Sequence, residues 1–239
     1  MMKKLMVLGG LLSFIAVVAI ACQKANKVMT DTEITYIDSS VDKSKESASM
    51  DNLTEQNTDT LSNESPVEHY MEISYPTPNV DTSKRNTVEG VILHHTAEPT
   101  VQRSLEVLTS ATRRVGTHCV IDTDGTRYIM CKPEVVTYHA GLSVLNGKEG
   151  CNNFTIGIEF QGNTLVAPLT EDQMKSAIEY LRPIIKKYNI PYSNVVTHEM
   201  IRQAYKKKHP QKRCSGKVDI TQTEYKRFMK LLKKVYDEK

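Results

Sequence analysis

A chain of 239 residues with 31 Lys and Arg against 28 Asp and Glu carries a formal charge of +3, is 39% hydrophobic and has no Trp. Eleven glycines exclude a collagen-like repeat, and a single long apolar run excludes a multi-span membrane protein, which leaves one soluble domain with something added. The charge is unevenly placed: residues 23–66 hold nine acids against four Lys, whereas residues 67–239 hold 25 basic against 19 acidic side chains.

The N-terminus reads as an address. Lys3 and Lys4 precede an apolar run over residues 5–21, and Ala19-Ile20-Ala21 sets small residues before Cys22. This predicts a signal peptide over residues 1–21. Cys22 directly after the cleavage point resembles the lipobox of bacterial lipoproteins and is the expected lipidation site. Ala19 stands where lipoboxes prefer Leu, so plain signal cleavage is the competing reading. Residues 22–66, rich in Ser, Thr, Asn and acids with isolated apolar positions, are expected to form the lipidated N-terminus and a disordered tether.

Residues 67–239 have the composition of a single folded domain. Residues 88–95 predict a buried strand ending in His94 and His95, and residues 103–112 a short helix. Residues 118–122 and 127–130 flank Thr123-Asp124-Gly125-Thr126, a hairpin signal. Residues 155–160 form another strand. Thr170 and Gln173 make a capping box for a long helix, which Pro183 is expected to kink. Residues 195–198 add a short strand, Lys206-Lys207-Lys208-His209 reads as a solvated loop or a contact with an anionic polymer, and residues 224–236 form a last amphipathic helix. Strands mixed with helices predict an α/β fold, a central mixed β-sheet flanked by helices.

The chemistry must come from His and Cys. His198-Glu199-Met200-Ile201-Arg202 lacks the second His of a zinc-protease helix, and neither C-x-x-C nor G-x-S-x-G occurs. What remains is dispersed: His94 and His198 at strand ends, and Cys214. Three N/S ligands with an open fourth position make a catalytic zinc pattern. Disulfide bonding for the Cys and packing for the His are the rival readings of these residue types.

Several segments in order resemble the zinc-dependent N-acetylmuramoyl-L-alanine amidases, the group related to phage lysozyme-type amidases and animal peptidoglycan recognition proteins. They are Val91-Ile92-Leu93-His94-His95-Thr96-Ala97, Gly116-Thr117-His118-Cys119 with the Asp124-Gly125 turn, Tyr138-His139-Ala140-Gly141, Asn152-Asn153-Phe154-Thr155-Ile156-Gly157-Ile158-Glu159, and His198 with Lys212-Arg213-Cys214. The resemblance implies an enzyme that cleaves the amide between N-acetylmuramic acid and the L-Ala of the stem peptide. It implies Zn2+ held by His94, His198 and Cys214, Glu159 as general base, Lys212 stabilising the oxyanion, and His118, His139 and Asn153 contacting substrate. His95 is expected to point away from the site. Many relatives carry Asp in a K-x-D-P-G sequence at the third ligand; Lys212-Arg213-Cys214-Ser215-Gly216 resembles the form that uses Cys. Thr117 stands where those relatives have a catalytic Tyr, which transfers the burden to Glu159.

The partners implied are peptidoglycan or a muropeptide as substrate and a membrane through the N-terminal lipid, with no nucleic acid, for a monomer exported to the cell envelope. Two other readings are a peptidoglycan-binding module without catalysis and an amidase for soluble anhydro-muropeptides. Among the remaining cysteines, pairing across the hairpin is expected to set Cys131 opposite His118, which leaves Cys131 with Cys151 as the expected disulfide.

Overall fold

A computed structural model describes residues 69–214, 216 and 219–238, all within the second of two units into which the chain divides, Ser62–Lys239. The expected signal segment, Cys22 and the tether lie outside the described residues. In chain order come β1 (Glu72–Ser74), β2 (Val80–Arg85), β3 (Gly90–His95), α1 (Val101–Thr109), β4 (Cys119–Ile121), β5 (Arg127–Ile129) and β6 (Val135–Thr137). Then follow β7 (Val144–Leu145), β8 (Lys148–Glu149), β9 (Thr155–Phe160), α2 (Glu171–Tyr188), β10 (Val195–Thr197), α3 (His198–Lys208) and α4 (Gln222–Asp237).

Six strands form one mixed sheet in the order β1-β5-β4-β9-β3-β10. Every neighbouring pair is parallel except the β4–β5 hairpin. β3 and β9 are buried along their whole length, as parallel strands covered on both faces must be, and so they read as near-continuous apolar runs. Alternation assigns the faces. Val91, Leu93, Ile156, Ile158, Phe160 and Val195 pack with α2 and α4 in the main core, through Met174, Leu181, Ile185, Phe228 and Leu232. Ile92 and Val196 turn to the opposite face, where they meet Ala140, Cys151, Phe154 and Ile201 of α3. His94 and Glu159 share that second face.

The helix ends are set by local chemistry. Thr170 and Gln173 form the full capping box of α2, and Thr100, Thr197 and Thr221 cap the other three helices, each cap worth about 1 kcal/mol. α2 runs continuously through Pro183, with Leu181, Ile184 and Ile185 buried around it. Lys206, Lys207 and Lys208 belong to the last turn of α3 rather than to a loop, where cations face the negative end of the helix dipole.

The hairpin register differs from expectation by one residue. Cys119 pairs with Ile129, and the His118 carbonyl accepts from the N–H of Met130 at 2.9 Å and, at the longer distance of 3.4 Å, from that of Cys131. The cause is a three-residue loop closed by Gly125 at φ +86°, a conformation that favours glycine. The expected Cys131–Cys151 bond is absent: Cys119, Cys131, Cys151 and Cys214 are free thiols. Cys151 is buried on the α3 face, whereas Cys131 lines a cavity with Tyr180, Pro183 and Ile184 of α2 on the other.

Candidate active site

β3, β9 and β10 run parallel, so their C-terminal ends meet along one edge of the sheet, the usual place for a site in such folds. His94 pairs in register with Glu159, and Thr197 with Leu93, so His198, the first residue of α3, arrives beside His94. The two imidazole centroids are 5.0 Å apart. Asp219, on the segment leading into α4, completes the group. Its carboxylate Oδ2 is 2.6 Å from His198 Nδ1 and 3.3 Å from His94 Nδ1. Asp219 is fully buried, and one ligand atom from each of the three lies within 4.8 Å of the others. Two imidazoles and a carboxylate converging at this spacing suit a zinc ion with its fourth position open.

Cys214, the expected third ligand, is not part of this cluster; Asp219 holds that place five residues on. The signal was present in the sequence as Lys217-Val218-Asp219, the K-x-D half of the relatives' pattern, but Ile220-Thr221 replaces its Pro-Gly. Lys212 is exposed, with Nζ 5.8 Å from the Tyr205 ring centroid, and it is absent from the cleft lining among the described residues. Lys217 lies outside the described residues.

A cleft of about 720 Å³ opens over the cluster, lined among others by Glu159, Tyr138, His139, Asn152, Arg113 and Arg114. Glu159 is 7% exposed and stands at the cleft floor next to His94. Arg113 and Arg114, both exposed, place cations on its rim. Asn152, not Asn153, faces the cleft: its Oδ1 accepts from the backbone N–H of His139 at 3.1 Å and of Ala140 at 2.8 Å. Asn153 is exposed and donates to Gly150.

His139 lines the cleft but is largely buried, with Nδ1 3.3 Å from His94 Nε2. Burial and the neighbouring imidazoles of His94 and His118 hold its pKa well below the usual histidine range. His118 does not reach the cleft. It is fully buried, its Nδ1 accepts from the Gly157 N–H at 3.0 Å, and its Nε2 donates to the Val135 carbonyl at 2.9 Å. Thr117 is likewise buried, donating to the Gly157 carbonyl. His95 points to the other face, where Nδ1 accepts from the Thr164 N–H.

Burial pushes His118 down to about 4. Between pH 6.5 and 4 the unfolded chain therefore binds more protons at this residue than the folded one. Its contribution, up to about 3 kcal/mol, is complete above pH 6.5 and lost as pH falls through that window. The fall in Tm from pH 6.5 to pH 4 should be shallower in His118→Gln than in the parent chain; equal slopes would remove His118 as the cause.

Residues 84–217 match the family profile described as N-acetylmuramoyl-L-alanine amidase. The 1,6-anhydro-N-acetylmuramyl-L-alanine amidase AmpD of Haemophilus influenzae is 38% identical over 88 residues, 36% of this chain and 46% of that protein. The N-acetylmuramoyl-L-alanine amidase AmiD of Escherichia coli is 28% identical over 127 residues, 46% of this chain and 45% of that protein. A crystal structure of AmpD superposes with a TM-score of 0.49 at 20% identity, covering 67% of this chain and 94% of that one. The chain spans about half the length of the curated relatives it matches. The profile match covers more than half of the chain and includes His94, Glu159 and His198, so the chain belongs to the N-acetylmuramoyl-L-alanine amidase family.

Proposed function

We propose that this protein hydrolyses the amide between N-acetylmuramic acid and the L-Ala of a peptidoglycan stem peptide. The observation that carries the reading is the cluster of buried His94, partly exposed His198 and buried Asp219, whose two imidazoles open into a cleft that Glu159 also lines. A zinc ion held by the three would polarise the scissile carbonyl and lower the pKa of an attacking water. Glu159 accepts the proton of that water and returns it to the departing L-Ala nitrogen, so one carboxylate serves as base and then as acid. Arg113 and Arg114 suit the carboxylates of a stem peptide lying along the cleft. Lys217, two residues before Asp219, takes over from Lys212 as candidate for the oxyanion, on its place in the K-x-D sequence.

The apolar run before Cys22 favours export and acylation, and with them intact wall as substrate. The similarity to proteins named for 1,6-anhydro substrates favours soluble muropeptides. Incubation with purified sacculi and, separately, with anhydro-muropeptides decides between them by mass spectrometry. Free stem peptides beginning with L-Ala are expected from sacculi; their appearance from soluble muropeptides alone would move the substrate to that class, and from neither would leave a binding module. A Cys22→Ser variant should shift from the membrane to the soluble fraction, and identical fractionation of both chains would replace acylation by plain secretion.

A further inference from the structure

We infer that the edge of the domain opposite the cleft is a docking surface for an anionic lipid membrane, built from the far ends of α3 and α4. The sequence concentrates charge there. Residues 200–213 hold six Lys and Arg and no acid, and residues 226–237 hold five against Asp237 alone. Both helices start at the cleft edge and run away from it. α3 begins at His198, and its 11 residues carry the chain about 16 Å down the sheet, where Lys208 Nζ donates to the Gly147 carbonyl of the β7–β8 turn at 3.2 Å. That turn is held to the start of β10, with Asn146 donating to Asn194 Oδ1 at 2.8 Å. α4 begins with the Thr221 N–H on Thr164, just past the C-terminal end of β9, and ends with Tyr236 donating to the Ile190 carbonyl ahead of β10. The two basic ends therefore converge on residues 190–194, at the opposite edge from His94 and Glu159.

Most of these cations have no acidic partner. Lys208 and His209 share Glu149, Arg202 reaches Glu199, and Arg227 takes Glu224. Lys206, Lys207, Lys212 and Arg213 are exposed and make no ion pair among the described residues. The same holds for Lys230, Lys233 and Lys234 on α4. The Lys212 N–H donates to the His209 carbonyl and folds the chain back on α3, so that Lys212 stands over the Tyr205 ring beside the other cations. The helix dipole accounts only for cations in a last turn. Lys212 and Arg213 lie beyond α3, and Lys230 and Lys233 precede the last turn of α4. An extended anionic plane reaches both helix ends at once, and with them seated on it the cleft faces outward. A polymer read as substrate meets cations at the cleft mouth instead, where Arg113 and Arg114 stand. The choice of lipid over polymer rests on the acylation proposed above; the charge arrangement does not.

The test uses the full chain carrying Cys22→Ser, so that no acyl group contributes, and sediments it with vesicles of phosphatidylcholine alone or in equal parts with phosphatidylglycerol. Residues 5–21 are apolar enough to enter either bilayer, so the neutral vesicles set the baseline. Each Lys or Arg at an anionic leaflet favours binding by roughly fivefold, and the anionic vesicles should be preferred by roughly 100-fold or more. The preference should collapse in about 1 M salt, where screening acts within about 3 Å. Lys207→Gln with Lys233→Gln should reduce it roughly 25-fold. Arg103→Gln with Lys175→Gln removes the same charge near the starts of α1 and α2, at the cleft edge, and should leave it within about twofold. A parent chain with no preference, or an equal loss in the two folded double variants, would overturn the inference, the second by reducing it to net charge. Retention on a polyglycerol phosphate matrix without vesicle preference would overturn it in favour of a polymer. No amidase activity is read, so failure here leaves the proposed reaction standing, and failure of that reaction leaves this result untouched.

Discussion

Asp219→Ala is expected to lose zinc and amidase activity together, whereas Cys214→Ala keeps both. Asp219 lies between the Nδ1 atoms of His94 and His198 in a fully buried position, so its removal takes away one of three ligands and leaves two imidazoles, too few for a stable site. Outer partners of a metal typically contribute 10–100-fold to affinity, and loss of a direct ligand should exceed about 100-fold. Asp219→Cys should restore binding, because a thiolate is itself a sound zinc ligand. Metal content after gel filtration, beside turnover on a muropeptide, provides the measurement. Zinc lost in Cys214→Ala and kept in Asp219→Ala would return the third position to the cysteine.

Glu159→Gln should lower kcat by about 10²–10⁴-fold, the usual contribution of a general base, while zinc content stays at the parent level. Gln keeps the shape of the side chain on β9 but cannot take a proton from water. Thr117→Tyr should not recover the loss. The tyrosine of relatives belongs at that position, but Thr117 is fully buried here with its hydroxyl on the Gly157 carbonyl, so a phenol ring has no path to the cleft from it. A Glu159→Gln enzyme within about threefold of the parent would leave another group to activate the water, and residual turnover measured against pH would show its titration.

The parts of the fold that were legible are those whose order is local. β3 and β9 announce themselves as apolar runs because both their faces are covered, and α2 because Thr170 and Gln173 cap it within four residues. β1, three residues long and only partly buried, owes its place to parallel pairing with β5 some 55 residues away, for which its own side chains carry no pattern. The same contrast runs through the site. His94 and Glu159 were visible at the ends of strong strands. Asp219 was not, because its burial comes from packing against residues distant in sequence, and an acidic residue after Lys217-Val218 draws less notice than Cys214 after two basic ones. His118 illustrates the converse: a histidine in a matching segment that spends both nitrogens on backbone groups and has nothing left for a ligand.

Burial also governs the chemistry of the free thiols. Burial pushes Cys131 up to about 12 and raises Cys119 and Cys151 as well, so at neutral pH almost none of their sulfur is thiolate, the form that attacks disulfides and oxidants. Three unpaired cysteines outside the cytoplasm would ordinarily invite scrambling with one another or with neighbouring proteins. Here the hydrophobic packing that closes the domain encloses Cys119 and Cys151, while Cys131, partly buried against α2, is kept in its thiol form by its raised pKa.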